Sequence, residues 1–274
     1  VLGSRGLGDV YKRQCRRQKQ KGKQKEEEMT DEIKQAVARF RERHGYDDTT
    51  PRAALIDMDG TLYDSMPRHT VAWETMAREA GLSTIPGEFF LHEGRTGAAT
   101  IDILMMRNRH RHATDEEKQH LYKRKTEIFV ELPPVEPMKG ADVMTDTLRN
   151  AGLTRVLVTG SGQNSLIGRL DNDYPGIFAA DKRITSRDVT HGKPHPEPFL
   201  KAMALAGVTP AHAIVVENAP VGVEAGAASG AFTVAVTTGP IPRHELEKAG
   251  ADIIFGSMPE FAASLPSLLQ ALAE

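Results

Sequence analysis

The chain has one cysteine, Cys15, in 274 residues. A lone thiol cannot close an internal disulfide, so burial rather than cross-linking must hold the fold together. No run of about 18 apolar residues is present, and no secretory leader is visible, which argues against a membrane-spanning helix. Charge of one sign is missing too. A formal net charge of −2 provides no field for nucleic acid or an acidic membrane, so neither is expected as a partner. Together these absences lead us to expect a reducing, cytoplasmic compartment; a monomer is expected separately. What the chain does have is 39% hydrophobic and 26% charged residues, enough for one sizeable core with an appended domain.

Residues 1–28 differ from the rest. They hold nine basic side chains (Arg5, Lys12, Arg13, Arg16, Arg17, Lys19, Lys21, Lys23 and Lys25) against Asp9, Glu26, Glu27 and Glu28, without apolar periodicity. Such a stretch buries too little to order itself. It reads as a disordered basic or non-native tail, with Met29 a plausible start. A basic tether is the alternative.

From Thr30 the pattern predicts a helix to about residue 44, capped by Thr30, with Ile33, Val37 and Phe40 on one face; it forms an N-terminal helical unit over residues 29–50. Ala53-Ala54-Leu55-Ile56 follows as a buried strand ending at Asp57. Residues 66–138 then read as a helical insertion, with helices over 67–81, 98–108 and 114–130, the last opened by a Thr114–Glu117 capping box, and a proline hinge at Pro133, Pro134 and Pro137. Past Gly140 helices and short strands alternate: helices over 141–151, 163–171, 196–206, 221–229 and 262–273, strands over 155–159, 213–217, 232–236 and 252–255. This predicts an α/β fold, a Rossmann-like parallel sheet core (51–65 and 139–274) carrying an inserted helical cap domain (66–138). In such sheets ligands bind beyond the carboxyl ends of the strands.

Polar groups stand at those ends. The first strand runs into Asp57-Met58-Asp59-Gly60-Thr61, two carboxylates that a turn at Gly60 can splay so that one attacks phosphorus while the other moves protons. Taken alone, the pair is equally a polar turn. The second strand ends in Thr159-Gly160-Ser161-Gly162, a hydroxyl and a glycine-flanked turn whose N–H groups suit phosphoryl oxygens, or an ordinary loop. Lys193, flanked by prolines, provides a fixed cation or is a surface lysine. Glu217 and the carbonyl of Asn218 offer oxygen ligands for Mg²⁺, together with Asp57, unless they merely cap a helix.

The four segments DMDGT (57–61), VLVTGSG (156–162), HGKPHPEPF (191–199) and VVENAPVGVEAGAASG (215–230), in this order, resemble the haloacid dehalogenase superfamily. Within it the chain is similar to the β-phosphoglucomutase-like phosphatases, whose helical cap follows the first strand. The resemblance covers roughly residues 51–265. It implies Asp57 as nucleophile, Asp59 as acid/base, Thr159 as a hydrogen-bond donor to the phosphoryl group, and Lys193 as charge-balancing cation. It also implies Mg²⁺ as cofactor, bound by Asp57, the Asp59 backbone carbonyl and the acidic motif at Glu217. Many relatives have a second carboxylate where this chain has Asn218. Glu93, in the insertion, is a candidate replacement in the metal sphere.

In this family the cap selects the substrate. The loop Leu91-His92-Glu93-Gly94-Arg95-Thr96-Gly97 therefore carries candidate substrate contacts, Arg95 and Thr96, alongside Gly160, His69 and Lys125; Glu93, Arg95, His69 and Lys125 can equally be ordinary surface residues. The arginine with which β-phosphoglucomutases grip a second sugar phosphate has no counterpart in Gly94-Arg95-Thr96-Gly97. The combination MPxHxxAW, HEGRTGA, VTGSGQ and IVVENAP is similar instead to a Bacteroides-type subgroup that includes an inorganic pyrophosphatase. A small phosphorylated substrate, with pyrophosphate leading, is the resulting expectation. The alternatives are a sugar-phosphate phosphatase, a β-phosphoglucomutase, or a non-catalytic phosphate-binding module; Asp59 argues against a dehalogenase.

Overall fold

The computed structural model describes Gln24, residues 27–162 and residues 164–274. The basic tail therefore lies outside the described residues except for Gln24, Glu27 and Glu28. Helix α1 already runs from residue 27 to residue 44, so Thr30 sits inside it and is not its cap, a correction to the sequence reading. Its buried face, Ile33, Ala36, Val37 and Phe40, packs on the sheet, where Phe40 meets Phe232 edge-on at 5.2 Å.

The elements that follow are β1 (Ala53–Ile56), α2 (Met66–Glu79), α3 (Glu88–Leu91), α4 (Gly97–Arg109), α5 (Asp115–Glu131), α6 (Ala141–Asn150), β2 (Thr154–Val158), α7 (Asn164–Ile167), α8 (Leu170–Asp173), β3 (Arg183–Ile184), α9 (Glu197–Ala206), β4 (Ala213–Glu217), α10 (Pro220–Ala228), β5 (Phe232–Val236), α11 (Arg243–Lys248), β6 (Ile253–Phe255) and α12 (Met258–Ala273). The sheet is parallel in the order β3-β2-β1-β4-β5-β6. The order reverses at β1, which lies between β2 and β4, so the crevice beyond β1 and β4 is the topological switch point where α/β sheets bind ligands. Alternation within the strands sorts the core. Ala53, Leu55, Val156 and Val215 face Phe199, Ala202 and Met203 of α9, while Ala54, Ile56, Leu157 and Val216 share the other cluster with α1, α6 and α12.

Helices α2, α4 and α5 fall where the apolar period placed them, and α5 opens with the Thr114–Glu117 capping box. The short elements α3, α11 and β3 escaped the sequence reading, because four-, six- and two-residue segments carry too little periodicity. The helix expected over 163–171 is instead two single turns, α7 and α8, separated by a turn at Gly168 and Arg169. Helix α12 starts at Met258, four residues earlier than expected: Ser257 accepts from the Glu260 N–H, and Pro259 suits the first turn. Segments 62–64 and 136–138, leading into and out of the insertion, run side by side, tied by the Asp64 N–H to Glu136 carbonyl bond and the Met138 N–H to Leu62 carbonyl bond. One buried apolar cluster continues from the sheet into the insertion through Leu62, Tyr63 and Val135.

Because Phe40 is fully buried against Phe232, Phe40→Ala is expected to cost about 3–5 kcal/mol. Urea unfolding monitored by far-UV circular dichroism measures it. A change under 1 kcal/mol would detach α1 from the core.

Candidate active site

The first residue after β1 is Asp57, whose N–H still donates to the Val216 carbonyl across the β1/β4 pair. This continuation holds its carboxylate at the crevice with little freedom. Lys193 reaches in from the loop before α9 and donates to Asp57 Oδ1 at 2.6 Å, to Glu217 Oε1 at 2.5 Å and to the Val158 carbonyl at 3.0 Å. Asp57 and Lys193 are each 2% exposed, and Glu217, the last residue of β4, is fully buried. Burial, together with the Glu217 charge, pushes the Asp57 carboxyl up to about 8, although Lys193 opposes the shift. Burial likewise opposes the charge on Lys193, yet the two carboxylates outweigh it and hold the ammonium above its usual range.

The turn after β1 separates the two aspartates as the sequence suggested. Gly60 adopts φ +80°, and a Cβ on it would lie 2.0 Å from Asn218 Nδ2 and 2.3 Å from Glu93 Oε1. Asp59 is thereby turned toward the insertion. Its Oδ1 accepts from Ser65 Oγ at 2.7 Å and from His69 Nε2 at 2.9 Å. His69 Nδ1 lies 2.6 Å from Lys125 Nζ, so the lysine as donor and Asp59 as acceptor together select the Nε2–H tautomer. Burial opposes the Asp59 charge, but His69 and Ser65 outweigh it and hold the carboxyl below its ordinary value. Lys125, 2% exposed and 5.2 Å from the ring centroids of both Trp73 and Phe129, is pushed by burial down to about 7.

The loop after α3 lies directly on the strand ends. Glu93, 5% exposed, accepts from Asn218 Nδ2 at 2.9 Å, while Asn218 Oδ1 accepts from Thr61 at 3.3 Å. Asn218 thus tethers the glutamate in addition to offering an oxygen. Burial raises Glu93 well above a normal carboxyl, and the charges of Asp57, Asp59 and Glu217 add to that. Gly160 touches the same loop from the other side: a Cβ there would lie 2.2 Å from the Gly94 carbonyl oxygen. On the outer flank Phe90 of α3 packs against the apolar cluster of Val223, Ile241 and Leu246.

Between these surfaces is a cavity of about 50 Å³, bordered by Asp57, Asp59, His69, Arg95, Lys125 and Thr159 among others. Thr159 Oγ1 accepts from the Ser161 N–H at 3.0 Å, which leaves its hydroxyl proton to donate. Arg95 Nε is buried without a hydrogen-bond partner, and burial lowers the basicity of its guanidinium. Thr96 is the exception among the expected substrate contacts. It accepts from the Ala99 N–H as the cap of α4, and its methyl faces Gly192, so it lies outside the cavity wall. The sequence reading missed Ser65, which sits one residue before α2 and four before His69, and Tyr122, on the cavity wall three residues before Lys125 along α5.

The donor set suits a hard divalent cation. Asp57 Oδ2 is buried without a partner, Asp57 and Glu217 share a single lysine, and Glu93 lies near enough to feel the charges of both, an excess of negative oxygen that Mg²⁺ would neutralise.

A family model for haloacid dehalogenase-like hydrolases matches residues 51–230. Hexitol phosphatase A of Escherichia coli is 31% identical over 184 residues, 66% of this chain and 81% of that protein. Beta-phosphoglucomutase of Bacillus subtilis is 26% identical over 200 residues, 69% of this chain and 84% of that protein. A solved structure of a beta-phosphoglucomutase-like protein from Bacteroides vulgatus superposes with a TM-score of 0.86 at 42% identity, covering 89% of this chain and all of that one.

A lysine depressed to about 7 binds fewer protons in the folded chain than in the unfolded one, where the value is about 10. Stability contributed by this group therefore rises with pH between those limits. Lys125→Met is expected to remove that rise, as read from urea midpoints between pH 7 and pH 10 in EDTA. An unaltered slope would assign the titration to another group.

Proposed function

This chain belongs to the haloacid dehalogenase-like hydrolases, and on that premise we propose that it is a phosphohydrolase working through a phosphorylated Asp57, with inorganic pyrophosphate as substrate. The observation that carries the substrate assignment is the small cavity of about 50 Å³ bordered by Asp57, Asp59, Arg95 and Lys125, with the buried Arg95 Nε facing no protein partner. It suits a compact polyanion better than a hexose phosphate.

In this reading a carboxylate oxygen of Asp57 attacks one phosphorus, forming an acyl phosphate as the bridging P–O bond breaks. Lys193 favours the ionised form of Asp57 against the effect of burial and offsets charge on the transferring group. The Thr159 hydroxyl and the turn at Gly160 donate to its oxygens, while Arg95 receives the departing phosphate. Asp59, ionised at rest, relays to the leaving oxygen the proton held on His69 Nε2, which Lys125 replaces at Nδ1. It then takes one from the water that cleaves the acyl phosphate, and His69 and Lys125 provide the adjoining path for that proton. Asp57, the Asp59 backbone carbonyl, Glu217 and Glu93, with Asn218 alongside, would hold Mg²⁺, whose chemistry is to neutralise the phosphoryl oxygens and orient them for in-line transfer.

A second reading rests on the relatives. Hexitol phosphatase A and the fructose-1-phosphate phosphatase YqaB of Escherichia coli take sugar phosphates by name, and an opened insertion would admit one here.

Phosphate release, assayed with and without Mg²⁺ across pyrophosphate and a panel of sugar phosphates, separates the two. We expect the highest kcat/KM for pyrophosphate, loss of turnover in EDTA, and background rates for Asp57→Asn with the fold retained. A sugar phosphate as best substrate would overturn the pyrophosphate assignment and leave the Asp57 mechanism standing. Full activity in Asp57→Asn would remove the mechanism itself.

A further inference from the structure

The loop that carries Lys193 has a second face, turned away from the cleft. On it His191, His195 and Glu197 bring one ligand atom each to within 4.8 Å of one another. The imidazole rings of His191 and His195 lie with centroids 4.8 Å apart, and the His191 side chain is 64% exposed. We propose that these three side chains form a surface site for a divalent transition metal of the zinc class, separate from the Mg²⁺ position in the cleft.

The chemistry of the donors selects the ion. Two imidazoles and one carboxylate suit Zn²⁺ and its neighbours, whereas Mg²⁺ prefers oxygen throughout. The carboxylate is already oriented as a ligand should be. Glu197 Oε1 accepts from the Thr190 N–H at 2.9 Å and from Lys201 Nζ at 2.8 Å, and Oε2 accepts from the His191 N–H at 2.9 Å. Hydrogen bonds from Lys201 and the two backbone N–H groups hold it well below the usual carboxylate range, so it is anionic throughout the neutral range. Glu197 Oε2 also lies 3.1 Å from His191 Nδ1, close to the roughly 3.3 Å that separates ligands on a tetrahedral zinc with bonds of about 2.0–2.1 Å. A cation entering there takes the place of hydrogen on that contact, and the neutral imidazole keeps its one proton on Nε2. His195 follows from the far side of Lys193, with its Nδ1 accepting from the Glu197 N–H at 3.2 Å, and water completes the shell on the exposed side.

The position gives the site a consequence. His191 and His195 bracket Lys193, and Gly192 between them lies so close to Thr96 of the insertion that a Cβ there would be 2.6 Å from its methyl. A bound ion staples the segment that presents Lys193 to Asp57 and on which the insertion rests. Binding to the folded chain alone raises the melting temperature.

The test is calorimetric titration of ZnCl₂ into the full chain in excess Mg²⁺, alongside melting curves, for the unaltered protein and for His191→Ala, His195→Ala and Asp57→Asn. The proposal requires one equivalent of Zn²⁺ bound with a rise in melting temperature, the same in Asp57→Asn, and at least about tenfold weaker in either histidine variant. His191→Ala should retain its Mg²⁺-dependent phosphate release. Absence of Zn²⁺ binding, equal affinity in the histidine variants, or loss of binding in Asp57→Asn would each overturn it, the last by moving the ion into the cleft.

Discussion

Lys193 lies between Asp57 and Glu217 with nearly no access to water, and much of the molecule is arranged to keep it there. Three ions moved from water to a protein interior incur several kcal/mol of desolvation each, which mutual attraction offsets only when the geometry is tight. Parallel strands provide that geometry. Asp57 follows β1 and Glu217 ends β4, adjacent strands in register, so their side chains emerge side by side at the switch point; the Val158 carbonyl at the end of β2 fixes the ammonium from a third side. The triad carries a formal charge of −1, and Asp59 and Glu93 bring the cluster to −3. Burial first, and that excess of negative charge with it, raises Asp57 and Glu93, and the donor set suits a divalent cation.

The insertion is coupled to this electrostatic centre by backbone contact. Gly60 and Gly160 have no side chains where the loop 92–96 approaches, which lets Glu93 reach Asn218 and lets the Gly94 and Arg95 carbonyls rest on the turn after β2. On the opposite wall Lys125, His69 and Asp59 form a chain of hydrogen bonds that reaches from α5 of the insertion to the sheet. These contacts bury Glu93, His69 and Lys125, and in low dielectric each charged contact gains strength.

Much of this was legible in the chain. The alternation of apolar strands with helices gave the parallel sheet, because a strand covered on both faces must be nearly all apolar, as β1 is and as β4 and β5 are apart from Glu217 and Thr233. Strand ends marked Asp57, Thr159 and Glu217 as candidates, since the residue after the last apolar position is the one that meets solvent or ligand. Elements of two to six residues, β3, α3 and α11, were not legible, for tertiary contacts rather than local periodicity make them. Thr96 was misread for a related reason: a threonine before a helix satisfies the N–H groups of the first turn, and that local demand took the side chain the cavity was expected to receive.

The sequence by itself determined the order of strands and helices, the insertion after β1, and which polar side chains stand at strand ends, because hydrophobic period and turn chemistry are local properties. Only the tertiary structure decided that Lys193 joins Asp57 to Glu217 and that Asn218 holds Glu93. It likewise decided that Ser65 and His69 both bind Asp59, and that His191, His195 and Glu197 gather on the loop that carries Lys193. The physical reason is range. The Lys193–Asp57 and Asn218–Glu93 bonds span more than a hundred positions and depend on the register of strands and the approach of a loop, while the shorter-range contacts depend on how the intervening turns fold back, which hydrophobic period does not specify.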